Sequence, residues 1–202
     1  MREKHIILAA RVISALFTPF YLPLVSLLAL FLFSYLSLLP LVYKLYVLAI
    51  VYLFTVLMPT LLIYLYRRFH GWSLIELGNR ERRMVPYVIS ILNYIACLYV
   101  MDSNHIPHFM GSIVIAALFI QIVCAMINAW WKISTHTAAI GGVAGALVSY
   151  SVAFNFNPLW WLCLVLMMAG AVGSARMILR QHTLSQVVAG FLIGTACAIL
   201  VI

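Results

Sequence analysis

The sequence has 202 residues, of which 66% are apolar and 8% are charged, and its 12 Lys and Arg against 4 Asp and Glu give a formal net charge of +8. Soluble domains contain roughly 45–50% apolar and about 25% charged residues, so an ordinary soluble protein is excluded. The scarcity of acids excludes paired-carboxylate chemistry and a carboxylate-rich Mg²⁺ or Ca²⁺ site. Nucleic acid is excluded as a partner because the chain offers no soluble basic face.

Apolar runs in chain order predict a membrane protein, because a spanning helix needs about 20 mostly apolar residues. Residues 6–18 come first and, with Pro19 and Pro23 after them, predict an interfacial helix or a broken entry into the first span. Unsatisfied backbone is too costly in lipid for anything but helices, and no barrel-type alternation is present. The fold class is therefore an all-α polytopic transmembrane bundle of six or seven spans, preceded by an interfacial N-terminal helix, in one membrane domain, 1–202. The runs are 21–39, 44–66, 85–101, 109–129, 136–154, 158–173 and 183–202.

The loops between these runs alternate between two membrane faces. Loops 67–84, 130–135 and 174–182 share one face with the N-terminus, if Gly173 ends the sixth span. This face carries every Lys and Arg except Lys44. Polar chemistry is therefore expected on one side of the membrane. The small-residue run 141–145, together with Ala169–Gly170, Gly190 and Gly194, predicts close packing of the fifth, sixth and seventh spans.

Three polar segments on this face precede spans and carry basic or histidine side chains. They are residues 78–86, 131–137 and 174–186. A helix N-terminus has free N–H groups and about half a positive charge, so it attracts anions. An arginine fork can hold two phosphate oxygens at once. The three segments together predict a phosphate pocket at the membrane surface.

The segments resemble the three motifs of the type 2 phosphatidic acid phosphatase family, K-x6-R-P, P-S-G-H and S-R-x5-H-x3-D. Arg176 and His182 reproduce R-x5-H of the third motif. Ser134 and His136 keep the serine and histidine of the second motif. The resemblance covers roughly residues 67–195, which would form the phosphatase-like core.

The first motif is matched more loosely. Arg83 stands three residues before Pro86 instead of next to it, and no lysine lies seven positions before Arg83. Arg80 and Arg83 are therefore taken as the stand-ins for the basic residues of this motif. Taken alone, the arginines at 80, 82 and 83 could also form a positive membrane flank.

The resemblance implies a membrane phosphatase for a lipid-linked phosphate monoester or diphosphate, without metal or cofactor. By residue-wise transfer His182 is the nucleophile that becomes phosphohistidine, and His136 protonates the leaving oxygen. A phosphotransferase would use the same residues. Lys132 is also interpreted as an interfacial anchor. The phosphate would be held by Arg176, Arg80, Arg83, Ser134 and Lys132.

The aspartate of the third motif is replaced here by Gln186. Its i,i+4 spacing puts it on the helix face of His182, where its carbonyl can accept the ring N–H and fix the tautomer. It cannot neutralise an imidazolium as a carboxylate does. Slower turnover than with Asp is expected, unless Glu76 or Glu81 supplies a carboxylate.

A rival interpretation stays open, namely a non-catalytic protein of the same fold that binds or moves anionic lipids. Gln186 and the loose first motif favour it. A solute transporter lacks support, since no acidic relay or inverted repeat is visible. His105 and His108 lie on the opposite face without a third ligand and are interpreted as loop histidines.

The expected location is a bacterial cytoplasmic membrane, with membrane lipids and a lipid phosphate as partners. The excess of positive charge predicts a cytoplasmic site. Bacterial members of the family often face outward, which predicts the opposite. The oligomeric state and the particular lipid are left open by the sequence.

Overall fold

The computed structural model describes residues 2–71 and 84–202, and this part of the chain is helical. A 3-10 turn, Tyr35–Leu38, follows the second α-helix, and a π-helical segment, Leu53–Leu57, joins the third to the fourth. The α-helices are α1 Arg2–Leu16, α2 Leu22–Phe33, α3 Leu41–Tyr52, α4 Met58–His70, α5 Met84–Ser103, α6 His108–Trp130, α7 Thr135–Ala153, α8 Leu159–Ile178 and α9 Leu184–Val201.

Six helical segments within the described ranges are long and apolar enough to cross a membrane, which confirms the all-α polytopic bundle. The predicted run 21–39 is not one of them. Its helix α2 has 12 residues, and at 1.5 Å per residue this spans about 18 Å, against about 30 Å for the hydrocarbon core. The six are Leu41–His70, Met84–Ser103, His108–Trp130, Thr135–Ala153, Leu159–Ile178 and Leu184–Val201.

The first span is one continuous helix of 30 residues, Leu41–His70, which includes α3, the π-helical segment and α4. Pro59 lies at the start of α4 and has no N–H to donate, which accounts for the irregular turn just before it. The helix ends at Gly71, whose φ of 64° is left-handed, and basic residues occupy its last turn. The chain therefore leaves this span on the basic face.

The helix α8 runs further than the sequence predicted. Gly173 does not end it, because α8 continues to Ile178. A Cβ on Gly173 would lie 2.8 Å from Val187 Cγ1, so this glycine serves the close approach of α9 instead. The chain turns at Arg180, which has a φ of 52°. Arg176 thus lies in the last turn of α8, not in the loop that opens α9.

Helices α7 and α9 pack closely and run parallel. Gly190 of α9 faces Ser134 and Thr137, and Gly194 faces the Ala138 backbone, so contact positions advance together along both helices. The Thr195 hydroxyl donates a hydrogen bond of 3.0 Å to the Gly141 carbonyl. The predicted small-residue packing is confirmed for this pair and places the N-termini of α7 and α9 side by side.

Candidate active site

The second motif segment forms the start of α7. Ser134 is its N-cap, with the hydroxyl accepting from the Thr137 N–H at 3.4 Å. The Thr137 hydroxyl in turn donates to the Ser134 carbonyl at 3.1 Å. Ser134 is fully buried, whereas His136, in the first turn, and Lys132, in the preceding loop, are half-buried. The local sequence S-x-x-T therefore fixes the helix start that carries His136.

The third motif segment forms the start of α9 and brings His182 and Gln186 into contact. Gln186 Oε1 accepts from the Thr183 N–H at 3.2 Å and lies 3.1 Å from His182 Nδ1. A backbone N–H can only donate, so the side-chain atom facing it is the amide oxygen. The same oxygen then needs a proton on Nδ1, which leaves the lone pair of the imidazole on Nε2.

The two segments also contact each other through the backbone. The Ser134 N–H donates to the Gln186 carbonyl at 3.4 Å. A Cβ on Gly190 would lie 2.6 Å from both the Ser134 carbonyl and the Thr137 hydroxyl. The His136 and His182 segments are thus parts of one interface, built on the glycine side of α9.

Arg176 lies in the last turn of α8, one turn after Gly173, which faces Val187 of α9. Its guanidinium Nη1 donates a 2.7 Å hydrogen bond to the hydroxyl of Ser14, which is 162 residues away in the sequence. Arg176 is 5% exposed and Ser14 is 8% exposed. Ser14 was not predicted from the sequence. The available signal was Ala10 four positions earlier, since small residues one turn apart mark a helix face that packs closely.

The first motif lies outside the described residues. Arg80 and Arg83, the two predicted phosphate ligands, belong to it, and so do Arg82, Glu76 and Glu81. The described chain resumes at Met84, where α5 begins, and the Met84 sulfur accepts from the Asn128 amide at 3.8 Å. The start of α5 therefore lies beside the last turns of α6, next to the loop that leads into α7.

Buried polar side chains on α6 were also missed by sequence reasoning. Gln121 is 7% exposed and Asn128 is 1% exposed. Their spacing of seven residues inside an apolar run places them on one helix face, and this was the signal available. They line the inner side of the bundle below the candidate site.

The opposite face lacks comparable chemistry. His105 and His108 lie where α5 ends and α6 begins. Across residues 2–71 and 84–202 no group of three or more His, Cys, Asp and Glu side chains could hold a metal ion.

The assembled site is suited to an anion. Two helix N-termini, of α7 and α9, lie side by side and each carries partial positive charge. Arg176 adds a full charge, and Lys132 stands in the loop before α7. A histidine whose Nε2 carries the lone pair and lies next to an anion-binding surface can attack an electrophilic phosphorus atom.

A comparison with protein families finds a model described as the PAP2 superfamily that matches residues 128–202. The match begins at Asn128 and includes α7, α8 and α9 with both described motif segments. Comparisons with curated proteins and with solved structures found no match.

Proposed function

We propose that the chain hydrolyses a lipid-linked phosphate monoester or diphosphate, and the match of residues 128–202 to the PAP2 superfamily supports this proposal. The family supports a phosphatase-type function in general. The observation that carries the finer proposal is the contact between His182 Nδ1 and Gln186 Oε1, which presents Nε2 as a nucleophile.

The first step forms a phosphohistidine. His182 Nε2 attacks phosphorus, and the bond between phosphorus and the leaving oxygen breaks. His136, protonated at the start, gives its proton to that oxygen. The dephosphorylated lipid leaves, and the phosphoryl group stays on His182.

The second step releases phosphate. His136, now neutral, takes a proton from water as the water oxygen attacks phosphorus, and the phosphorus–nitrogen bond breaks. Inorganic phosphate leaves, and both histidines return to their starting states. An acceptor alcohol in place of water would make the same chemistry a phosphotransfer.

Charge on the transferring group is stabilised by fixed positive groups. The transition state spreads negative charge over the equatorial oxygens, where arginines and helix ends act best. Arg176 and the N-termini of α7 and α9 supply this in the described part of the chain. Ser134 stands at the α7 end as its N-cap. We propose that Arg80, Arg83 and Lys132 complete the phosphate contacts and that no metal or cofactor takes part.

Two adjacent cavities support a lipid-linked substrate. A cavity of about 40 Å³ between α2, α6 and α7 is lined by Thr135, the neighbour of His136. A second, of about 200 Å³, lies between α2, α7 and α8. Ser26, Val143 and Ala146 line both. The larger cavity is lined mostly by apolar side chains and offers room for part of a hydrocarbon chain inside the bundle. Candidate substrates are phosphatidic acid, phosphatidylglycerophosphate, a polyprenyl diphosphate and a phosphorylated glycolipid.

The six long apolar helices fit a multi-pass integral membrane protein. We propose a bacterial cytoplasmic membrane as its location. The substrate head group would then be reached at the surface while its tail stays in lipid.

The test is phosphate release by the purified chain from a panel of these lipids, in detergent with a chelator present. Wild type is expected to release phosphate from at least one lipid, and His182→Ala to lose the activity by at least about a thousandfold. The matched control is His105→Ala on the opposite face, which should keep full activity. Equal release by His182→Ala and wild type would exclude His182 as the nucleophile. Lipid-phosphate binding without any release would favour the non-catalytic alternative.

A further inference from the structure

The N-terminal helix α1 contributes one polar group to the inside of the protein near the site. Its face toward α8 carries Ala10, which is 3% exposed, and Ser14. The other side of α1 is apolar and exposed, with Leu8, Val12 and Leu16 between 50% and 65% exposed. A helix with this distribution lies against the bundle with its outer face in lipid.

The Ser14 hydroxyl accepts one N–H of the Arg176 guanidinium at 2.7 Å, in a nearly water-free setting. A hydrogen bond to a charged group in such surroundings is among the stronger polar contacts in proteins. It also restricts the rotation of a long side chain that otherwise has many rotamers. The bond therefore fixes the orientation of the guanidinium plane.

The chemical nature of the group that accepts the Arg176 hydrogen bond matters for an anion site. A hydroxyl is a neutral acceptor, so its hydrogen bond orients the guanidinium without adding a negative charge beside it. A guanidinium has five N–H donors, and the bond to Ser14 uses one of them. Phosphate recognition uses a fork of two of these donors in fixed geometry.

We propose that Ser14 is a positioning residue, which orients Arg176 so that its guanidinium meets the phosphate group of the substrate. This inference rests on the proposed function, because it assigns Arg176 to phosphate binding. It makes α1 part of the site, although 162 residues separate Ser14 from Arg176.

The probe is orthovanadate, which resembles the phosphoryl group in the transition state of its transfer. Its binding is measured by thermal shift on the detergent-solubilised full chain. Ser14→Ala is expected to weaken the vanadate affinity about tenfold, the effect of losing one hydrogen bond to a charged group. Ser14→Thr keeps the hydroxyl and should stay within about threefold of wild type. Ser14→Cys, close in size with a weaker acceptor, should fall between them. Ser103→Ala, at an exposed serine on the opposite face, is the matched control.

A double-mutant cycle separates positioning from a general effect. If Ser14 acts through Arg176, Ser14→Ala should not weaken vanadate binding further in an Arg176→Ala background. A purely structural Ser14 would lower the unfolding temperature without vanadate and leave the vanadate affinity unchanged, and this result would overturn the proposal. If Ser14→Ala does not fold, the vanadate affinities of Ser14→Cys and Ser14→Thr are compared instead. A weaker affinity for Ser14→Cys supports the proposal, and equal affinities overturn it. Wild type that binds no vanadate would overturn the proposed function together with this inference, whereas equal binding by wild type and Ser14→Ala overturns the inference alone.

Discussion

Replacing Gln186 by glutamate tests what the residue does for His182. The two side chains have the same length, so a carboxylate oxygen can take the place of Oε1, which lies 3.1 Å from His182 Nδ1 and 3.2 Å from the Thr183 nitrogen. Both hydrogen bonds and the helix start are kept. The one change is a negative charge next to the ring that becomes an imidazolium when Nε2 bonds to phosphorus.

The size of the effect follows from the difference between neutral and charged hydrogen bonds. A neutral bond contributes about 1 kcal/mol and a bond to a charged group about 1.5–3 kcal/mol. The phosphohistidine state should gain about 0.5 to 2 kcal/mol from the carboxylate, which raises the rate of phosphoryl transfer by about twofold to thirtyfold. The rate of the first turnover, followed by rapid quench, measures this step directly.

Two further variants complete the series. Gln186→Met keeps the length and the helix propensity but removes the acceptor, so the Nδ1–H tautomer is no longer favoured and the rate should fall at least about tenfold. Gln186→Asp introduces the aspartate of the motif that this segment resembles, with a side chain one methylene shorter, and a gain no larger than that of glutamate is expected. Equal single-turnover rates for Glu, Gln and Met would refute the assignment of Gln186 as the group that orients the nucleophile.

Three further outcomes are expected. Gly190→Ala should lower the free energy of unfolding by about 1–3 kcal/mol and reduce phosphate release, because its Cβ would lie 2.6 Å from the Ser134 carbonyl. The control is Gly170→Ala, whose Cβ would have nothing within 4 Å, and it should leave the unfolding temperature unchanged or raised. In a cysteine-free variant, Gln181→Cys and Ser103→Cys should react with an impermeant maleimide from opposite sides of the membrane, and labelling of both from one side would contradict the alternation of the spans. Phosphate release should persist when EDTA is added, and loss that Mg²⁺ restores would contradict a metal-independent reaction.

The sequence predicted the parts of the site that depend on local spacing. His182 and Gln186 lie four positions apart and are in contact, but not through a shared helix face, because His182 precedes Thr183, the N-cap of α9. The contact forms because Gln186 is the N3 residue of a capping box, so its side chain turns back to the Thr183 N–H and the His182 ring. The alternation of spans likewise put the starts of α7 and α9 on one membrane side, and their parallel packing agrees with it. Features of this kind can be predicted from the spacing of residues and from a count of membrane crossings.

Other parts depended on tertiary contacts that a single sequence does not encode locally. Gly173 looked like a helix end, because a glycine that permits close packing and one that ends a helix are the same residue in the sequence. The run 21–39 was long enough to span, but its helix α2 stops at Phe33. The role of Ser14 could not be predicted from the sequence, because its contact with Arg176 depends on how α1 packs against α8 in the folded bundle.

The arrangement of helix ends explains why this site should hold a doubly charged anion firmly. Arg176 lies in the last turn of α8, where the helix dipole favours a cation. The neighbouring starts of α7 and α9 carry partial positive charge as well. A phosphate group brings negative charge to these positive groups, which means that binding should stabilise the folded state as well as hold the substrate.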